Sequence, residues 1–243
     1  MKRLRAWYSK QHFEPGPLGW VVAPFYFARN GLHAALVRLL PNLRGEILDV
    51  GCGTKPYRAL VPANRYVGLD YDTPARRAAG FADVFYAGSR FPLRDGEFDG
   101  VLCTQVLEHV FTPDAFLNEI NRVLRPGGVL VLTVPFIWDE HEQPYDFGRY
   151  SSFGLRAVLE RTGFEVISLE KTPTDARAVA QIVAGWVYKL VCARGRWVNL
   201  ATQLLVIAPI SFLGILMAII LPRNDDFYLD NVVLARKASP VLL

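Results

Sequence analysis

Apolar positions along this chain fall into two rhythms. The first is the short run that is apolar on successive residues: "EILDVG" (46–51), "RYVGLDYD" (65–72), "FDGVLCT" (98–104), "GGVLVLTVPF" (127–136) and "NVVLARK" (231–237). "FEVISLEK" (164–171) alternates instead. Runs that are apolar on both faces predict strands of a parallel sheet covered by helices on each side. The second rhythm is helical. Phe116, Leu117, Ile120, Val123 and Leu124 form one stripe. Ahead of them, Thr112 suits the N-cap and Pro113 the first turn. "RPGG" (125–128) stops this helix, and a second is predicted over 151–162, stopped by Gly163. The alternation predicts a doubly wound α/β fold.

One segment breaks the pattern. Residues 172–230 separate the last two strands, and their end, "VNLATQLLVIAPISFLGILMAIIL" (198–221), carries no charge. That length is enough to cross a bilayer. Yet "NVVLARK" must return to the sheet, so both ends of the segment belong on one side, the cytosolic one. A re-entrant or interface-lying helical hairpin is therefore expected, with a kink at Pro209 and residues 178–197 as its other arm. Lys189, Arg194 and Arg196 then lie near headgroups, and Trp186, Tyr188 and Trp197 at the interface. The alternative is a cap on the active site or a homodimer interface. The N-terminal arm (1–42) is aromatic, with Trp7, Tyr8, Phe13, Trp20, Phe25, Tyr26 and Phe27. It is expected to join that apolar surface or to form a lid. The α/β domain is read as 43–171 plus 231–237, and the insertion as 172–230.

Composition narrows this modestly. A chain of 243 residues, 51% hydrophobic, suits one domain with an insertion. A net charge of +4 decides nothing among nucleic acid, anionic lipid and anionic small molecules. Cys52, Cys103 and Cys192 are few and far apart, so neither a disulfide framework nor a metal site is expected. Pro24 interrupts the early apolar run 18–28, and no signal peptide is expected.

The candidate chemistry begins at "ILDVGCGTKPY" (47–57). A strand ending in Gly51-Cys52-Gly53 makes a tight turn where backbone can approach a ligand closely. In open α/β sheets ligands bind beyond the carboxyl ends of the strands. Asp70 closes the next strand, where an acid can accept hydrogen bonds from ribose hydroxyls. A nucleoside-containing ligand is expected. A dinucleotide is disfavoured, because Pro56 stands where the fingerprint wants a third Gly, and Asp49 would repel a pyrophosphate. The same carboxylate would attract an ammonium or sulfonium. Alternatively, Asp49 is a buried acid held by backbone, and Cys52 packs.

These stretches resemble the class I S-adenosylmethionine-dependent methyltransferases, the ubiquinone-biosynthesis-like (type 11) group. The likeness rests on "ILDVGCGTKPY", "VGLDYD", "FPLRDGEFDGVLCTQVLEHV" (91–110) and "EINRVLRPGGVLVLTVP" (119–135). It implies a Rossmann-like, mostly parallel seven-stranded sheet and S-adenosylmethionine as cofactor. By resemblance, Gly51, Cys52 and Gly53 border the methionine part, with Asp49 near its amino group. Asp70 binds the ribose, Tyr71 stacks on adenine, Gly88 and Ser89 border the ring, and Thr104 and Gln105 line the floor. Where relatives carry an acid for the adenine amino group, this chain has Ala87. Asp83 or a backbone carbonyl is expected to substitute. His109 is read either as touching a ligand or as a structural histidine, and Glu108 as structural.

"PFIWDEHEQPYDFGRYSS" (135–152) follows the fifth strand, over the open end of the sheet, and is dense in His, acids and aromatics. Methyl transfer from a sulfonium needs mainly positioning and desolvation. An oxygen acceptor also benefits from a base. His141 is the candidate base, with Asp146 orienting it or serving instead. Arg149 is the candidate anion binder, and Tyr145 and Tyr150 are expected to close over the acceptor. The plainer reading is an Asp146–Arg149 ion pair that fixes the loop, with Tyr150 packing. The acceptor expected is a small molecule, or a lipid- or glycan-linked hydroxyl, near a membrane. Nucleic acid is not expected, since no base-handling motif is present. The rival class is a non-catalytic protein of the same fold that binds a partner through the insertion.

Overall fold

The computed structural model describes residues 11, 13–88 and 90–238. Trp7, Tyr8 and Ser89 therefore lie outside the described residues. The chain divides into two compact units.

The larger unit comprises 36–136, 140–170 and the chain from Asn231 onward. It holds a mixed sheet of seven strands in the order β3-β2-β1-β4-β5-β7-β6. The strands are β1 (Gly45–Val50), β2 (Ala63–Tyr71), β3 (Val84–Tyr86), β4 (Phe98–Thr104), β5 (Leu124–Pro135), β6 (Phe164–Thr172) and β7 (Asp230–Lys237). β3, β2, β1, β4 and β5 run parallel to one another. Six strands were expected from the apolar runs. The seventh, β3, is three partly buried residues, too short to show a period. β5 begins at Leu124, so "RPGG" lies inside the strand, with a register shift opposite Phe98 and Gly100.

The helical stripe forms Pro113–Val123, with Phe116, Leu117, Ile120 and Val123 buried. Thr112 occupies its N-cap without making a side-chain cap bond. Ser151 does cap the helix Ser152–Arg161, its Oγ accepting from Gly154 N at 3.2 Å. Leu48, Val50, Val101, Cys103, Leu130 and Leu132 meet these helices in one core with no exposed surface. Burial of this kind stabilises by about 25 cal/mol per Å² of apolar area.

The smaller unit comprises the described part of 1–35, with 137–139 and 171–230. Its main elements are α1 (Tyr26–Leu39, which continues into the larger unit), α5 (Ala176–Val191) and α6 (Arg196–Ile220), with α2, α3 and α4 in the larger unit at Pro74–Ala79, Pro113–Val123 and Ser152–Arg161. The predicted hairpin of two helices is α5 and α6. Pro209 stands in the first turn of the α-helical stretch Ala208–Ile220 within α6. A π-turn over Gln203–Ile207 precedes it, a widened turn that accommodates the missing N–H and the bulk of the ring.

Ala180 and Gly214 approach each other where the two helices meet. Ala184, Ala208 and Ser211 are also buried on these helices, with Gln181, Gln203 and Ile207, while Ala178 packs with Ala28 and Leu229. A Cβ added at Gly214 would stand 2.5 Å from that of Ala180. The large apolar side chains point outward: Trp186, Trp197, Leu205, Ile219 and Ile220 are each about two-thirds exposed or more. The N-terminal arm packs on the same hairpin. Gln181 Oε1 accepts from Phe27 N at 2.9 Å, and its Nε2 donates to Pro24 O at 2.8 Å. Gln203 Nε2 donates to Val21 O, and the Trp20 and Phe212 rings lie 6.1 Å apart. Lys189, near the turn of the hairpin, pairs with Asp139. The hairpin thus lies along residues 137–139.

Candidate active site

The sheet register builds the site. Val50 of β1 is level with Leu69 of β2 and with Cys103 of β4, and Thr104 is level with Thr133 of β5. Gly51, Asp70 and Thr104 therefore reach the same carboxyl-end row, where an open α/β sheet binds its ligand. Gly51 N and Cys52 N both donate to Leu69 O, which bends the chain tightly at the strand end. Gly51 has φ +68°, and a Cβ there would meet Val106 at 2.4 Å. Gly53 and Gly88 also have positive φ, but a Cβ on either would meet nothing within 4 Å. Both border open space.

Asp49 is buried and accepts from the Tyr66 hydroxyl at 2.6 Å. Burial pushes its carboxyl up to about 7, against the pull of Tyr66 and Lys55 and with a further push from Asp70. Gly68 is its register partner on β2. Having no side chain, Gly68 leaves room for Lys55 and Cys52, which stand 2.3 and 2.8 Å from where a Cβ would be. Burial, with Asp49 adding to it, pushes the Cys52 thiol up to about 12, so Cys52 packs and is no nucleophile.

Asp70 is 4% exposed and its carboxylate receives Arg76. Tyr71, half exposed, meets Tyr86 edge to face, with centroids 5.5 Å apart. Asp83 is not placed for adenine. Its carboxylate takes Lys55 Nζ at 2.5 Å and Gly68 N at 2.7 Å, short of the carboxyl end of the sheet. Gln105, after β4, has φ +54° and is held by Thr133 through both its backbone N–H and its amide. Left-handed backbone at a residue other than Gly is strained by about 1–3 kcal/mol, and such strain gathers at functional sites.

The loop after β5 closes a polar cluster. Leu107–His109 form a short turn after β4, and Glu108 O accepts from Phe147 N and Gly148 N. His109 Nδ1 lies 2.7 Å from Tyr145 O, and the rings of His109 and His141 meet edge to face at 4.8 Å. His141 Nδ1 stands 3.3 Å from Asp146 Oδ2, which also accepts the backbone N–H of His141 at 3.0 Å. Arg149 grips both oxygens of Asp146, at 2.6 and 2.7 Å.

The contacts of this loop match the plainer of its two readings. Arg149 holds the Asp146 carboxyl down to about 2, so Asp146 can orient His141 but is a poor proton acceptor itself. The two terminal nitrogens of Arg149 both serve this pair, the plainer reading of that arginine. Tyr150 packs, partly buried, against the core, and its carbonyl accepts from Asn231 Nδ2. Tyr145 is 65% exposed.

Sequence reasoning missed Tyr66, Lys55 and Arg76, the partners of Asp49, Asp83 and Asp70. Each is joined across strands or a turn, and only register reveals that. It also treated His109 and His141 separately, since nothing in the spacing unites them.

Residues 48–132 match the family model described as a methyltransferase domain. A probable S-adenosylmethionine-dependent methyltransferase of Mycolicibacterium smegmatis is 34% identical over 134 residues, 50% of this chain and 52% of that one. The chain thus spans about half the length of that relative. An O-methyltransferase of Aspergillus nomiae is 28% identical over 60% of this chain and 75% of its own. Among solved structures, an S-adenosylmethionine-dependent methyltransferase from Mesorhizobium loti superposes with a TM-score of 0.52 at 19% identity. That match covers 89% of this chain and 99% of the other, and it speaks for the fold.

Proposed function

We propose that the chain is a class I S-adenosylmethionine-dependent methyltransferase and that it methylates a hydroxyl-bearing acceptor, lipid- or glycan-linked, at the cytosolic face of a membrane. The cofactor fits the residues present. Gly53 and Gly88 border open space at the carboxyl end of the sheet. Asp70 stands at the end of β2 to accept ribose hydroxyls, and the exposed face of Tyr71 is free of core packing demands that would bar a stacked base. Bound there, S-adenosylmethionine supplies a methyl group already activated on a sulfonium.

The chain's own work is placement and proton handling. Asp49, buried beside the Gly51 turn, favours the cationic end of the ligand. Asp146, locked by Arg149, holds the proton of His141 on Nδ1 and so turns Nε2 into the basic nitrogen. His141 then takes the acceptor's proton as its oxygen reacts, and His109, fixed by Tyr145 O, packs beside it. Tyr145, exposed at the loop, contacts the acceptor.

The observation that carries the membrane part is the inverted hairpin. Ala180 and Gly214 meet where α5 and α6 touch, and large apolar side chains such as Trp186, Leu205 and Ile219 face outward. A soluble helix pair buries its large side chains, whereas helices packed in lipid bring small residues together. α6 is 25 residues long, and its most apolar 18-residue stretch has a mean hydropathy of 2.4 and is 28% buried. Lys189 tied to Asp139 keeps the hairpin along the protein, which favours lying in the interface over spanning. The deciding experiment is mass spectrometry of lipid and glycan extracts from cells with and without the protein. A methylated product that disappears with the protein supports the reading. Unchanged extracts, with purified protein that binds no S-adenosylmethionine, overturn it in favour of a non-catalytic binding module.

A further inference from the structure

We propose that Glu108, His109 and His141 bind one divalent transition-metal ion. The three residues each offer a ligand atom, and these atoms lie within 4.8 Å of one another. The pair His109 Nε2 and Glu108 Oε1 is already at 3.8 Å. An ion holding ligands at about 2.0–2.2 Å keeps them roughly 3–3.5 Å apart, so the cluster needs to contract by about 1 Å.

Two further features point to a metal. The first is orientation. Metal-bound histidines almost always give their other nitrogen to a carboxylate or a carbonyl. His109 does so with Tyr145 O at 2.7 Å, and His141 with Asp146 Oδ2 at 3.3 Å. Asp146 is itself fixed by Arg149. The second is the donor set. Two imidazoles and one carboxylate suit zinc, iron, cobalt or manganese and leave coordination positions open for an oxygen ligand. Glu108 has no exposed surface, while the two imidazoles are partly exposed, so the open side faces the acceptor's approach.

The role of this ion rests on the reading that the acceptor reacts beside these imidazoles. An ion there binds the acceptor's oxygen and makes its hydroxyl more acidic. An imidazole that ligates an ion does not take up a proton. Occupancy therefore changes the task of His141 from accepting the acceptor's proton to holding the ion that acidifies the hydroxyl, whose proton then passes to solvent water. No metal site was expected from the sequence, because the three cysteines are few and widely spaced.

The test uses the full chain, stripped with a chelator and titrated with Zn²⁺ by calorimetry and with Co²⁺ by visible absorption. One ion per chain is expected, with a Co²⁺ spectrum showing nitrogen and oxygen ligation. Glu108→Gln and His141→Ala should each weaken binding at least tenfold, and Asp146→Asn by about 10–100-fold through lost orientation of His141. Circular dichroism and S-adenosylmethionine binding of the same stripped samples report whether each variant is folded. No stoichiometric binding at 100 times the protein's working concentration of ion overturns the proposal. So does undiminished binding in folded Glu108→Gln and His141→Ala. Loss of S-adenosylmethionine binding with the metal retained would instead overturn the methyltransferase reading and leave the metal site standing.

Discussion

Arg76 places one guanidinium nitrogen on both carboxylate oxygens of Asp70, at 2.7 and 2.8 Å. The acid is buried, while the arginine is 41% exposed and sits on α2, capped by Thr73. A ribose diol bound to Asp70 must share those oxygens with Arg76 or displace it. Asp70→Ala should weaken S-adenosylmethionine binding by about 1.5–3 kcal/mol, the scale of hydrogen bonds to a charged group. Arg76→Ala should leave binding unchanged or tighter, since it removes a competitor. Calorimetry on both variants checks this. An Arg76→Ala loss as large as that of Asp70→Ala would make the arginine part of the binding site.

Asp49 gives a pH prediction. Its folded carboxyl is raised to about 7 by burial, well above the unfolded value near 4. Between those values the folded state holds a proton that the unfolded state has lost. Folding stability from this group therefore falls as pH rises from about 4 to 7, by at most about 1.4 kcal/mol per unit. A cationic ligand beside Asp49 favours its ionised form. Binding below pH 7 then expels a proton, and affinity climbs towards pH 7 and levels off above it. Calorimetry at pH 6 in two buffers of different ionisation enthalpy measures the released proton. Asp49→Asn should abolish both the release and the slope.

Asp146 behaves in the opposite sense. Arg149 holds its carboxyl at about 2, below the unfolded value. The stabilisation is present above pH 4 and lost as pH falls through about 2. Arg149→Ala should therefore destabilise the protein by about 1–2 kcal/mol at pH 7, and by much less near pH 2. Denaturant titrations at several pH values check this. His141→Ala, by contrast, should lower turnover about 10²–10⁴-fold with little change in cofactor affinity.

The strand ends that carry Gly51 and Asp70 were legible, and the arrangement of the loop after β5 was only partly so. Gly51 and Asp70 end apolar runs, so the pattern that predicts a strand also predicts which residues stand at its end. The predicted hairpin was legible for a similar reason, as two long apolar stretches on either side of a basic turn. β3 was not, because Val84–Tyr86 is too short for a period and takes its place only by pairing with Leu69–Tyr71. The loop 137–151 has no period at all. Nothing in its spacing says that His141 meets His109, and nothing in it decides between the two readings of Asp146, Arg149 and Tyr150. Those are decisions of tertiary packing.

The outward apolar face of the hairpin makes the last prediction. Leu205 and Ile219 are 76% and 77% exposed, so Glu at either position disturbs no core packing. A charge on a lipid-facing position of a helix costs about 2.5–3.5 kcal/mol at full depth and less near the interface. The double variant Leu205→Glu with Ile219→Glu should thus bind neutral phosphatidylcholine vesicles at least tenfold more weakly than the parent. Its thermal unfolding and S-adenosylmethionine binding should be unchanged. Binding of the parent should survive 1 M salt, where the Debye length is about 3 Å, because apolar insertion is not screened. Flotation on a density gradient reads all three. A parent protein that stays at the bottom of the gradient as a soluble dimer, dissociated by the same two substitutions, would show that a second copy and not lipid covers this face. The methyltransferase assignment would be untouched, because it rests on Gly51, Asp70 and the strand ends around them.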